Sequence, residues 1–294
     1  MRDDVMARSP DRAMREFGRP SVKGVSRSGD RDTTCNDMAS LEHIFGTEHP
    51  VALVTGSGSA RVGNCVARTL AARGYRLIVH ARRSIEAART TAAELTKLGS
   101  ESIAIAADVA DEESVAKMVE QALTHFGRID ALVNCAATWD RKPLEEVTAD
   151  DVRRHFDINT LGTFLCSRHV GLAMVAQATG GAIVNVGDWA VARPYLDYAA
   201  YFPSKGAIGA MTRSLAVELA TRNRRIRVNA ILPGPVMLPA DLPEPERRAA
   251  IESTLLKREG SPQNVADAAV MLIENDFVTG VCLPVDGGRT VYTA

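Results

Sequence analysis

The feature that most constrains this chain is an alternation, beginning near residue 50, of short apolar runs of β character with longer stretches of helical periodicity. Val51-Ala-Leu-Val-Thr55 is followed by a glycine-rich turn and a helical pattern over 62–73. Arg76-Leu-Ile-Val-His80 is followed by a helix over 85–98, and Ser102-Ile-Ala-Ile-Ala106 by a helix near 112–126. A strand over 129–134, a long helix near 150–178, a strand over 182–186, a helix near 199–221 and a strand over 226–231 extend the series, before two short helices and a last strand near 281–285. Strands that are apolar on both faces need cover on both faces, and strands that alternate with helices cross over in parallel. The expectation is an α/β fold with a doubly wound parallel sheet of about seven strands. It forms a single domain, because about seven βα units consume residues 50–288.

The first 46 residues stand outside this pattern. Met1 to Ser40 carries eight Lys/Arg and seven Asp/Glu and hardly a large apolar residue, so burial cannot offset the entropy of ordering it. The expected division is a disordered N-terminal extension over 1–46 and a folded domain over 47–294. The extension lacks the apolar stretch of a signal peptide and the acid-poor composition of a transit peptide. It reads as a loose tail, as the product of a start codon called too early with Met38 the expected start, or as a regulatory arm. A formal net charge of −1 gives no general attraction to nucleic acid or to anionic membrane. No apolar run approaches the roughly 18 residues of a membrane span. Five scattered cysteines without a CxxC pair fit neither a disulfide framework nor a metal site, and they point to a reducing, cytoplasmic setting. The expected partner is a small molecule.

Thr55-Gly-Ser-Gly-Ser-Ala-Arg-Val-Gly63 joins the first strand to the first helix of the alternating series. Glycines at such a turn let the backbone approach a pyrophosphate, which then sits against the positive end of the helix dipole. A Gly-rich turn alone is a weak signal; placed after the first strand of a βαβ unit it points to a dinucleotide. Gly56, Ser59, Arg61, Val62 and Gly63 are the candidate cradle. After the second strand, where an NAD site places an acid for the ribose 2′-hydroxyl, this chain has Arg82, Arg83 and Ser84. Arg83 and Ser84 suit a 2′-phosphate, so NADP(H) is the expected cofactor.

Tyr201 and Lys205 are four apart at the start of a predicted helix, and both project from one face. A phenol is a sluggish acid–base at neutral pH, and a neighbouring ammonium is expected to pull its pKa down toward the working range. Jointly these motifs resemble the short-chain dehydrogenase/reductase family over about residues 50–288, with its Rossmann-like fold. Thr55-Gly56…Gly63 is similar to that family's glycine motif, with one residue more between Gly56 and Gly63. Asp108-Val109 resembles the adenine-binding pair. Asn134-Cys-Ala-Ala137 resembles the family's NNAG segment with two substitutions, placing Asn134 and Ala136 beside the cofactor. Asn159 resembles the structural and catalytic asparagine that orders a proton-relay water. Tyr201 and Lys205 match the catalytic pair, with Lys205 also holding the nicotinamide ribose. Pro233-Gly234 resembles the nicotinamide-side motif. The resemblance also implies a homotetramer.

One departure carries information. Thirteen residues before Tyr201, where the family has a catalytic serine, this chain has Asp188. The aspartate, Arg61 two before Gly63, the Arg83-Ser84 pair and Trp139 together resemble the pteridine reductase branch, in which an aromatic stacks on the pterin. That resemblance implies an NADPH-dependent reduction of a pterin, either a dihydropterin or a dihydrofolate-like substrate, with Trp139, Arg61, Asp188 and Tyr201 around it and Asp188 assisting protonation. The alternatives are a carbonyl or 3-oxoacyl thioester reductase of the same fold, and a non-catalytic NADP(H)-binding protein.

Overall fold

Successive side chains on each strand divide between two faces, and in the computed structural model, which describes residues 40–291, each face is covered by its own helices. Strands β1 (Val51–Thr55), β2 (Arg76–Ala81), β3 (Ser102–Ala106), β4 (Ala131–Asn134), β5 (Gly181–Val186), β6 (Ile226–Pro233) and β7 (Cys282–Val285) form one parallel sheet in the order β3-β2-β1-β4-β5-β6-β7. The helices are α1 (Leu41–Phe45), α2 (Val62–Ala72), α3 (Ile85–Lys97), α4 (Glu112–Phe126), α5 (Ala149–His155), α6 (Gly162–Ala176), α7 (Tyr201–Arg222), α8 (Glu244–Glu252) and α9 (Pro262–Glu274). Ala52 and Val54 face the layer of α2, α3 and α9, while Val51 and Leu53 face that of α4, α6 and α7. The doubly wound, single-domain expectation holds. No helix among the described residues is long and apolar enough to cross a membrane.

Strand order reverses between β1 and β4, which opens a crevice at the carboxyl ends of the strands where ligands of such sheets bind. Register fixes what lines that edge: Thr55 pairs with Asn134, and Asn134 with Asn185.

Two expectations change. The boundary at residue 46 is too late: Ser40 caps α1, and Ile44 and Phe45 are buried in the core, with Phe45 edge-on to Tyr75 at 6.1 Å. The folded unit therefore includes residues 40–46; the expected disorder of residues 1–39 lies outside the described residues. The long helix over 150–178 is also interrupted. A π-helical turn, Phe156–Leu161, separates α5 from α6 and carries the buried Asn159 at its centre. A π turn adds a residue to the helical cycle and re-aims the side chains on it.

Candidate active site

The turn after β1 is built to bring backbone close to a ligand. Gly56 has φ +67°, and a Cβ there would lie 2.9 Å from Ala136 Cα; a Cβ on Gly63 would lie 2.7 Å from the carbonyl of Gly56. Thr55 Oγ1 accepts from the amides of Cys135 and Ala136, both at 3.0 Å, and so ties the turn to the segment after β4. Arg61 stands at the N-cap of α2 without a side-chain cap bond, leaving the first amides of that helix for a ligand. The extra residue of this turn is accommodated by exposing Ser59, Ala60 and Arg61 while Gly63 stays buried. These cradles fit a pyrophosphate.

One residue of this machinery was read in the sequence only as the end of a strand. His80, buried at the end of β2, accepts from the Gly56 amide at Nδ1 (2.9 Å), and its Nε2 lies 3.0 Å from the Ala107 carbonyl. An amide only donates, so Nδ1 is the acceptor and the proton sits on Nε2. Burial pushes the His80 pKa down, which keeps this tautomer neutral. Beyond it, Arg82 pairs with Asp108 at 3.7 Å, while the exposed Arg83 forms no ion pair among the described residues. Ser84 is exposed at the start of α3. Asp108 turns the chain after β3, its carboxylate accepting from Ala110 N at 3.1 Å, and Val109 packs beneath Gly162.

Across the switch point lies the candidate acid–base group. Asp188 follows β5; its Oδ1 accepts from Ala190 N at 2.8 Å, and its Oδ2 accepts from the Tyr201 hydroxyl at 2.8 Å. Tyr201 opens α7, and Lys205 one turn on is buried with its Nζ donating to the Val186 carbonyl at 2.8 Å. Pro203 is tolerated there because first-turn amides have no intrahelical partner. The expected tuning of the tyrosine is reversed. Burial and the adjacent Asp188 carboxylate raise the Tyr201 phenol well above its ordinary pKa. Lys205 spends one donor on Val186, and burial lowers its own pKa. Asp188 is itself raised, chiefly by burial, against the hydrogen bonds and cations that favour its charged form. Tyr201 is therefore a held proton donor, paired with a carboxyl that protonates more readily than usual.

Asn159 reaches neither atom. Its Oδ1 accepts from Thr138 N (2.8 Å), and its Nδ2 donates to Thr138 O and Ser204 Oγ, both at 3.0 Å. Its amide is thus committed to holding the loop before Trp139 against α7. Asn134 donates to Ser167 Oγ and Asn185 Oδ1, each at 2.9 Å, and braces the base of the crevice. Pro233 ends β6, and Gly234 lies so close to Asp286 that a Cβ would sit 2.6 Å from its Cα.

Trp139, 42% exposed, stacks on Tyr198 at 5.1 Å with an interplanar angle of 7°. Tyr198 in turn meets Tyr201 edge-on at 6.3 Å, and Tyr195 meets Tyr198 and Phe202 edge-on at 5.1 and 4.9 Å. Sequence reasoning named Trp139 but missed Tyr195 and Tyr198, although their three-residue spacing up to Tyr201 was visible. It also missed Arg289, whose guanidinium carbon lies 4.1 Å from the centre of the Trp189 ring. Arg61, expected at the substrate, is exposed at the start of α2 and lines a cavity of about 600 Å³ with Cys65, Met237 and Gln263.

The sequence matches the family model described as enoyl-(acyl carrier protein) reductase over residues 58–290. It is 34% identical over 246 residues to 3beta-hydroxysteroid dehydrogenase 1 of Eggerthella lenta, covering 82% of this chain and 93% of that protein. It is 35% identical over 232 residues to 3-oxoacyl-[acyl-carrier-protein] reductase of Bos taurus, covering 79% of this chain and 94% of that one. A crystal structure from Agrobacterium tumefaciens, assigned as a gluconate dehydrogenase, superposes with a TM-score of 0.77 at 32% identity, covering 83% of this chain and 96% of that chain.

Proposed function

The chain belongs to the short-chain dehydrogenase/reductase family of nicotinamide-dependent oxidoreductases, and from that premise we propose that it interconverts a carbonyl and an alcohol with NADP(H). The observation that carries this reading is the 2.8 Å hydrogen bond from Tyr201 to Asp188, one helical turn from Lys205. The relatives named above are described by carbonyl or alcohol chemistry, which favours this alternative over the pterin expected from Asp188 and Trp139. The Trp139–Tyr198 platform keeps a flat ring, including a pterin, as the second reading.

Gly56, Ser59, Arg61, Val62 and Gly63 would cradle the pyrophosphate, and Asp108 and Val109 would border the adenine. Arg83 and Ser84 would receive the 2′-phosphate. Asn134, Ala136, Pro233 and Gly234 would flank the nicotinamide side, with the remaining Lys205 donors on its ribose. When bound, the nicotinamide gives or takes the hydride. The protein handles the proton. In reduction, Tyr201 passes its proton to the carbonyl oxygen, and protonated Asp188 restores it, so no phenolate is left facing a carboxylate. In oxidation the two transfers run backward, with ionised Asp188 as the final acceptor. A homotetramer and a cytoplasmic location complete the proposal.

The test is NADPH consumption with cyclohexanone, an acetoacetyl thioester and 7,8-dihydrobiopterin, followed across pH. Turnover of a ketone or thioester, with reduction falling and alcohol oxidation rising as pH increases, supports the reading. Turnover of the pterin alone overturns it in favour of the second.

A further inference from the structure

Arg289 lies in the turn after β7, and that turn is firmly pinned. Asp286 accepts from the amides of Gly288 (2.9 Å) and Thr290 (2.6 Å), and its carbonyl from the amide of Arg289 (3.2 Å). Arg193 Nη1 donates to the Arg289 carbonyl at 2.7 Å, which ties the turn to the loop after β5. One face of the guanidinium rests on Trp189, the residue after Asp188. No carboxylate lies within ion-pair distance of Arg289 among the described residues. Burial pulls its pKa down, although Tyr195, Asp188 and Asp286 act the other way from longer range. A half-buried guanidinium without a partnered anion is costly, and its free edge presents a fork of donors matched to a planar anion.

The place of Arg289 in the sheet argues against the cofactor phosphates as that anion. The candidate 2′-phosphate site follows β2, near one edge of the sheet, whereas Arg289 follows β7 at the other edge, beside Asp188. We propose that Arg289, stacked on Trp189 beside the acid–base pair, binds a carboxylate on the substrate, so that the enzyme acts on oxo and hydroxy carboxylic acids. This inference rests on the carbonyl–alcohol reading of the site.

The experiment compares 4-oxocyclohexanecarboxylate with its methyl ester as substrates for NADPH oxidation, in the wild type and in the Arg289→Met and Arg289→Lys variants. In parallel, calorimetry on the complex with NADP⁺ measures binding of cyclohexanecarboxylate against cyclohexanecarboxamide. The wild type is expected to prefer the acid, through KM, and Arg289→Met to collapse that preference by roughly 10- to 100-fold, the worth of one charge-assisted pair. Arg289→Lys is expected to keep part of it. Equal use of acid and ester by the wild type, or a preference surviving in Arg289→Met, overturns the proposal. So does an equal loss on both substrates with a displaced pH profile, which would make Arg289 a counter-charge to Asp188. If neither ketone is reduced, the carbonyl reading fails separately, and the calorimetry decides on Arg289: selective carboxylate binding that Arg289→Met abolishes supports the site, and its absence overturns it.

Discussion

Tyr201 shows how far a single residue can be read from sequence and where that reading stops. Its spacing to Lys205 and to Asp188 singles out the candidate acid–base group, because helix geometry converts an interval of four into a shared face. The sign of its tuning was not legible. That sign depends on how deeply the phenol is buried and on Lys205 donating to the Val186 carbonyl, and neither is a property of spacing. Tyr201→Phe removes the proton but leaves the ring packed, so turnover is expected to fall about 10²- to 10⁴-fold, the usual worth of general acid–base catalysis. Fluorescence titration should find NADPH affinity within a few-fold of the wild type. Retention of most of the rate would transfer the principal acid role to Asp188. Arg83 offers a cleaner case, since it is exposed and forms no ion pair among the described residues. Arg83→Ala is expected to weaken NADPH binding by roughly 10- to 100-fold, one charge-assisted bond, while NADH binding barely changes. Equal losses for the two cofactors would show that the arginine does not read the 2′-phosphate.

At the scale of elements, strands and helices followed from apolar periodicity almost to the residue, because a sheet covered on both faces leaves little freedom of pattern. The exceptions have physical causes. The π turn at Phe156–Leu161 inserts one residue that a 3.6-residue repeat absorbs without trace. The five-residue α1 was folded into the polar extension because Leu41, Ile44 and Phe45 are too few apolar positions to show a period. Yet Phe45 is buried against Tyr75, and its carbonyl accepts from Arg128 at 2.6 Å. Phe45→Ala is therefore expected to cost about 3–5 kcal/mol in chemical denaturation, as other buried aromatic truncations do. Deleting residues 1–39, a stretch with almost no core-forming side chains, should leave the melting temperature within about 2 °C. Near-normal stability in Phe45→Ala would mean that α1 docks without contributing to the fold.

For the whole molecule, the site draws together distant parts of the chain. Trp139 follows β4, Asp188 follows β5, Tyr195 and Tyr198 precede α7, and Arg289 follows β7, and only the parallel crossovers make them neighbours. This is why the aromatic walls and the arginine escaped a reading along the sequence, whereas motifs local to one turn did not. The same convergence buries a carboxyl, and the protein is expected to lose stability by it. Burial raises the pKa of Asp188 above its value in the unfolded chain, near 3.9. Such a group favours the folded state most when protonated in both states, below about pH 4, and that contribution is lost as pH rises through the raised folded value. Asp188→Asn keeps the shape and an oxygen that can accept from Tyr201, but it does not titrate. The difference in melting temperature, variant minus wild type, should therefore climb from pH 4 upward and level off once Asp188 is fully ionised in the wild type. Because Asp188 also offsets the buried charge of Lys205, the slope of that difference is more telling than its value at any one pH. A flat difference across the range would mean that Asp188 ionises in the folded protein as readily as in water, and the relay through Tyr201 would lose its proton store.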